Sequence, residues 1–198
     1  MSTEMQPLFW RISEQDHTGL EAVSVLMPSV DESHESTVFP TEVSFPSSRN
    51  SSHQRDLQWS DEDSDLFLTL LDRFMSEELA GDVQLDLTDN VVQNIVQLVA
   101  LARFKTPWPT DELVGDDFIT VREELDVGDM IAINTQYGFP MAIIVGMDSI
   151  DATCVLIDAL EDDGQVLVPE RSVLVVNRLS VLPLNFADGD TGSDSTWH

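Results

Sequence analysis

The sequence holds one cysteine, one lysine and one tyrosine among its 198 residues. A single cysteine, Cys154, excludes an intramolecular disulfide and any cysteine-based zinc site. It stands in the apolar run Thr153-Cys154-Val155-Leu156-Ile157, where a thiol behaves as a small hydrophobe rather than a nucleophile. The single lysine, Lys105, follows a helical stretch and no Gly-rich loop precedes it, so a P-loop is excluded. A Gly-x-Ser-x-Gly nucleophile elbow is also missing. No apolar run approaches the roughly 20 residues of a membrane-spanning helix. The first residues, Met1-Ser2-Thr3-Glu4, have neither the basic nor the apolar region of a signal peptide. The expected home is the cytoplasm, or a virus particle assembled there.

Basic charge is the next scarcity. Nine Lys and Arg face 37 Asp and Glu, a net charge of −28 with a pI near 4.1. Affinity for nucleic-acid phosphates comes from clustered cations that displace counterions, and an anionic membrane surface attracts the same clusters. Direct phosphate binding and membrane docking are therefore excluded. Three uses of such acidity remain: solubility through self-repulsion, adaptation to a salty cytoplasm, or a surface that meets a basic partner or imitates DNA. The acids are spread along the chain, 9 in residues 1–60, 17 in 61–128 and 11 in 129–198. The middle segment is densest and would be the imitating surface.

Residues 1–59 are rich in Ser, Thr, Glu and Pro, with short apolar clusters cut by polar runs. Pro28, Pro40 and Pro46 oppose helix and favour extended backbone. This reads as an extended or disordered arm whose aromatics, Phe9, Trp10, Phe39 and Phe45, anchor in a partner's grooves.

Residues 60–110 read as two helices. Ser60 and Asp63 form a capping box with Asp in place of Glu, and Asp61-Glu62-Asp63 suits a helix N-terminus. Leu66, Phe67, Leu70, Leu71, Phe74, Met75 and Leu79 share one face, and Gly81 ends the helix. A second helix starts at Thr88 or Asp89 and runs to about Lys105. From Asn90 to Ala102 it carries no charge, so it is buried on most sides or covered by another chain. Its expected inner face is Val91, Ile95, Leu98 and Ala102, widened by Val92, Val96 and Val99. Ile95 and Val99 should pack on Leu70, Leu71 and Phe74.

Residues 111–186 alternate short β-branched runs with turns. Strands are expected at Met130–Asn134, Met141–Gly146, Thr153–Asp158, Gln165–Val168 and Val173–Val176, with Phe118–Val121 as a shorter one. Asp163-Gly164 is a hairpin signal and Pro169–Ser172 suits a single 3₁₀ turn. Five short strands with a late 3₁₀ turn resemble an SH3-like small barrel, a likeness of architecture over about 57 residues (127–183). The fold class expected is α+β: arm, two-helix segment, and small C-terminal barrel. Residues 187–198 form a loose acidic tail.

Candidate chemistry is sparse. His17, His34, His53 and His198 all fall in the tail-like stretches, where the fixed geometry of acid–base catalysis is hard to hold. Asp61-Glu62-Asp63-Ser64-Asp65 has the 1, 3, 5 spacing of a calcium loop, but Leu66 stands where the turn needs Gly. Asp188 to Asp194 is a flexible acidic run of weak affinity. No metal, cofactor or catalytic residue is therefore assigned. Tyr137 and Phe139, on the first turn of the expected barrel, are candidate contact residues like the four aromatics of the arm, against the commoner role of packing at the edge of the core. The expected function is a non-catalytic interaction or assembly protein, in its concrete version a structural or head–tail accessory component of a virus or phage particle. The alternatives are a DNA-mimic inhibitor of a nucleic-acid-binding protein and an ordinary adaptor made acidic for solubility or salt.

Overall fold

Between Phe9 and Gln58 apolar side chains alternate with polar ones, and the computed structural model folds that stretch into an antiparallel sheet. The structure describes residues 7–15, 18–28, 36–47, 54–75, 89–115 and 124–186. The chain divides into two compact units, Met1–Thr106 and Pro107–His198.

In the first unit, strands β1 (Phe9–Gln15), β2 (Leu20–Met27), β3 (Thr37–Pro46) and β4 (Arg55–Gln58) lie in the order β3-β2-β1-β4. This overturns the expected arm. The reason is the period of two along the strands. Trp10, Ile12, Val23, Val25 and Val43 turn to one face and none is more than 2% exposed. The prolines that argued against regular structure fit it: Pro40 and Pro46 sit on β3, an edge strand, where a missing N–H removes no ladder bond. At the opposite edge Arg11 lies directly across from Asp56. Its Nε and Nη2 donate to the two carboxylate oxygens at 2.8 Å each, a fork that fastens β4 to β1.

Helix α1 (Asp61–Met75) begins as the sequence implies. Ser60 N–H donates to Asp63 Oδ2 at 3.0 Å and Asp63 N–H donates to Ser60 Oγ at 3.2 Å, a reciprocal box built with Asp. The same Oδ2 accepts from Trp10 Nε1 at 3.0 Å, and Arg103 Nε lies 4.0 Å from Oδ1. Helix α2 (Asn90–Phe104) is capped by Asp89, whose side chain accepts from Val91 N–H at 2.7 Å. Thr88, Gly81 and Leu79 lie outside the described residues. The inner face of α2 is Val92, Ile95, Val96 and Val99, whereas Val91 is 40% exposed. The apolar band is thus centred one residue beyond the expected row. Ala100 and Leu101 are buried too, because α2 packs on both α1 and β3. That double burial covers the apolar side of α2, while Asn90, Val91, Gln93 and Asn94 stay exposed without charge. On α1 the buried apolar side chains are Phe67, Leu70 and Leu71, while Phe74 stays exposed at the last turn.

The rings of the first unit form a continuous chain. Phe67 meets Trp59 edge-on, Trp59 stacks on Trp10 at 4.7 Å, Trp10 meets Phe104 edge-on, and Phe104 stacks on Phe45 at 5.9 Å.

The second unit is a five-stranded antiparallel sheet in the order β10-β7-β6-β5-β11, with a separate two-stranded ribbon β8-β9. Its strands are β5 (Met130–Ile133), β6 (Met141–Met147), β7 (Asp151–Leu156), β8 (Leu160–Asp162), β9 (Gln165–Val168), β10 (Val173–Asn177) and β11 (Val181–Pro183). The expected SH3-like barrel is not formed, because the sheet does not close. Part of the outer edge of β10 is already occupied: Trp108 N–H donates to Val173 O at 2.7 Å and Thr110 Oγ1 to Val175 O at 3.0 Å. The other edge, β11, has three residues and ends in Pro183, which has no N–H to offer. Asp163 and Gly164 take positive φ, as the hairpin signal requires. The 3₁₀ turn is at Arg178–Ser180 rather than Pro169–Ser172. The expected strand Phe118–Val121 lies outside the described residues. Ile131, Ile133, Ile144, Leu156 and Leu174 centre the core.

Two substitutions test the packing of the first unit by urea unfolding. Ile95→Ala should lower stability by roughly 2–5 kcal/mol. Asp63→Ala removes a cap and leaves the Trp10 indole N–H without an acceptor, for a loss of about 2–4 kcal/mol. Asp63→Asn keeps an acceptor and should lose clearly less. Equal losses for Asn and Ala would remove the hydrogen-bonding account.

Candidate interaction surface

Of the six aromatics expected to meet a partner, four belong to the first unit's sheet. Trp10 is 1% exposed, and Phe45 is half-buried against Phe104. Phe39 is half-buried in a cross-strand row with Val25 and Trp10, and Phe9 is half-buried opposite Leu26. The remaining two are Tyr137 and Phe139. Those two stand in the second unit, 40% and 47% exposed.

The backbone at Tyr137 is held by a stapled turn. Thr135 N–H and Oγ1 both donate to Gly138 O, at 3.0 and 2.8 Å, and Tyr137 N–H donates to Thr135 Oγ1 at 3.2 Å. Gly138 has φ +135°, and a Cβ there would meet nothing within 4 Å, so the glycine serves the backbone angle and not a close approach. Gln136 then ties the turn to the segment before it: its N–H donates to Leu113 O at 2.9 Å and its Nε2 to Glu112 O at 3.2 Å. Phe139 leans on Phe186 with ring centres 4.8 Å apart. Phe186 is folded back by its N–H to Pro183 O at 3.0 Å. Exposed Leu184 belongs to the same turn.

The segment 110–115 has a second neighbour. A groove of about 410 Å³ lies between it and the end of β10, lined among others by Thr110, Asp111, Val114, Asp151, Val175, Asn177 and Leu179. Leu179 and Ile150 are 60% and 63% exposed, and their backbones adjoin, since Arg178 N–H donates to Ile150 O at 3.0 Å. Both sit on stiff turns. Asn177 Oδ1 accepts from Leu179 N–H, and Asp148 Oδ1 accepts from Ile150 and Asp151 N–H at 2.7 and 2.8 Å. The Asp151 and Ile150 amides hold the Asp148 carboxyl below its ordinary range. Sequence reading missed Ile150 and Leu179. Their signal was an isolated apolar residue inside a polar turn, which by itself is commonplace.

Other candidate chemistry is not assembled. Asp61 to Asp65 open α1 and are not a loop. Among the described residues no three His, Cys, Asp or Glu side chains are grouped to hold a metal ion. The four histidines and Asp188 to Asp194 lie outside the described residues. Among the described residues no helix is long and apolar enough to cross a membrane. Comparison with protein-family models and with curated proteins finds no match for this chain.

Cys154 is fully buried in the second unit's core, and burial pushes its thiol up to about 12. Native protein at pH 8 should therefore resist a thiol-specific reagent such as DTNB and react only as it unfolds. Rapid labelling of one thiol per native chain would contradict the burial.

Proposed function

We propose that this protein acts by non-catalytic contact with another protein, through the second unit's surface around Tyr137, Phe139 and Leu179. The observation that carries the reading is the stapled Thr135–Gly138 turn, which fixes the backbone at Tyr137, whose ring is left 40% exposed. A pre-positioned aromatic loses little conformational entropy when it enters a partner's pocket, and such residues dominate binding energy.

The particle-component version has less support than the sequence alone lent it. Its arm is a sheet with its own core, and its uncharged helix buries its apolar side within its own unit. Docking onto a protein partner is the part of that reading we retain. Charge mimicry of DNA comes second. On α1, Asp61, Asp65 and Asp72 share one exposed stripe. At 1.5 Å rise per residue they stand about 6 and 10 Å apart, against roughly one charge per 1.7 Å of duplex. Exposed Leu68 interrupts the stripe.

A photo-crosslinking residue at Tyr137 in the intact chain, expressed in its native host, tests the reading. A discrete heavier adduct should form there and not with the same residue at Glu170, an exposed position on another turn. Equal labelling at both positions, or none at 137, would count against docking by this surface.

A further inference from the structure

We infer that the groove beside β10 receives a lysine or arginine side chain from a segment of the partner protein. This rests on the docking reading and names the chemistry of what docks. At about 410 Å³ the groove is at the small end of ligand-sized clefts, enough for one long side chain and its flanking backbone. Its walls are of two kinds. Val114, Val175 and Leu179 supply apolar surface, while Asp111 and Asp151 supply two carboxylates, and no lining residue is basic.

An aliphatic stem ending in a cation satisfies both walls, with methylenes against the valines and charge toward the carboxylates. A neutral apolar side chain would strip water from the carboxylates without pairing them. An acidic one would be repelled. The nearest base in sequence, Arg178, is already engaged with the neighbouring turn, its Nη1 donating to Asp148 O at 3.2 Å. Ile150 and Leu179, the two most exposed large apolar residues among those described, stand beside it and suit an apolar residue next to the cation. A chain of net charge −28 adds long-range attraction for a basic segment.

The probe is the peptide acetyl-Gly-Arg-Leu-Gly-amide, titrated into the ¹⁵N-labelled full chain at low salt and followed by amide shifts. Saturable shifts should centre on Asp111, Val114 and residues 175–180. The norleucine analogue of the peptide should bind at least about tenfold more weakly, as charge-assisted contacts are lost. The double variant Asp111→Asn/Asp151→Asn should weaken the arginine peptide to a similar degree. Asp162→Asn/Asp163→Asn removes the same charge from the β8-β9 turn and should leave affinity unchanged, Asn being tolerated at the positive φ of Asp163. The inference is overturned by shifts spread equally over other acidic turns, by norleucine binding as well as arginine, or by equal losses in the two double variants. Absence of saturable binding overturns it as well. Adducts at Tyr137 report on the docking surface independently, so a failed groove and a failed surface give different results.

Discussion

The Asp63 carboxylate joins three parts of the first unit that the chain keeps apart. It caps α1 through Ser60, accepts the indole N–H of Trp10 from β1, and faces Arg103 near the end of α2. Each contact needs the other elements in place. A carboxylate that is 5% exposed is tolerable only when its oxygens are occupied, and Trp10 can be buried only if its N–H has an acceptor. The ring chain from Phe67 to Phe45 runs through this point, so the sheet and both helices share one core. Separating the strands as an arm would expose Trp10 and leave α2 without one of its two neighbours.

Acidity shapes the rest of the molecule in a related way. With 37 acids and nine bases most carboxylates can have no cationic partner. Several satisfy backbone N–H groups instead. Asp89 caps α2, Asp148 closes the turn before β7, and Asp126 and Asp129 bond amides before β5. A backbone amide stabilises a carboxylate without cationic charge, so a short Asp side chain at a turn or cap is the economical position for it. The two close fork and edge pairs, Arg11–Asp56 and Arg55–Glu21, both use arginines of the first unit.

In the second unit the segment 108–115 supports both surface features. Its start covers part of the β10 edge, its middle carries the carbonyls that hold Gln136, and its end borders the groove. An edge strand left bare invites unspecific pairing. Covering it with a segment that also braces the aromatic turn joins edge protection to the presentation of a binding surface.

The sequence alone determined what depends on local chemistry. The Ser60–Asp63 box, most strands of the second unit, the Asp163-Gly164 hairpin and the burial of Ile95, Val99 and Cys154 were readable because neighbours along the chain decide them. Three of the four strands of residues 9–58 were also written as alternation, in Trp10/Ile12, Val23/Val25 and Val43/Phe45. Proline and serine obscured them, since composition cannot tell a central strand from an edge. Tertiary structure alone decided which aromatics were consumed. Trp10 and Tyr137 were both expected to face a partner, but one meets an acid 53 residues away and is buried, while the other stays 40% exposed on a stapled turn. The same holds for the open sheet in place of a barrel. Closure depends on whether the β10 edge finds another strand or the Trp108–Thr110 segment, a competition between distant pieces of chain that no local pattern records.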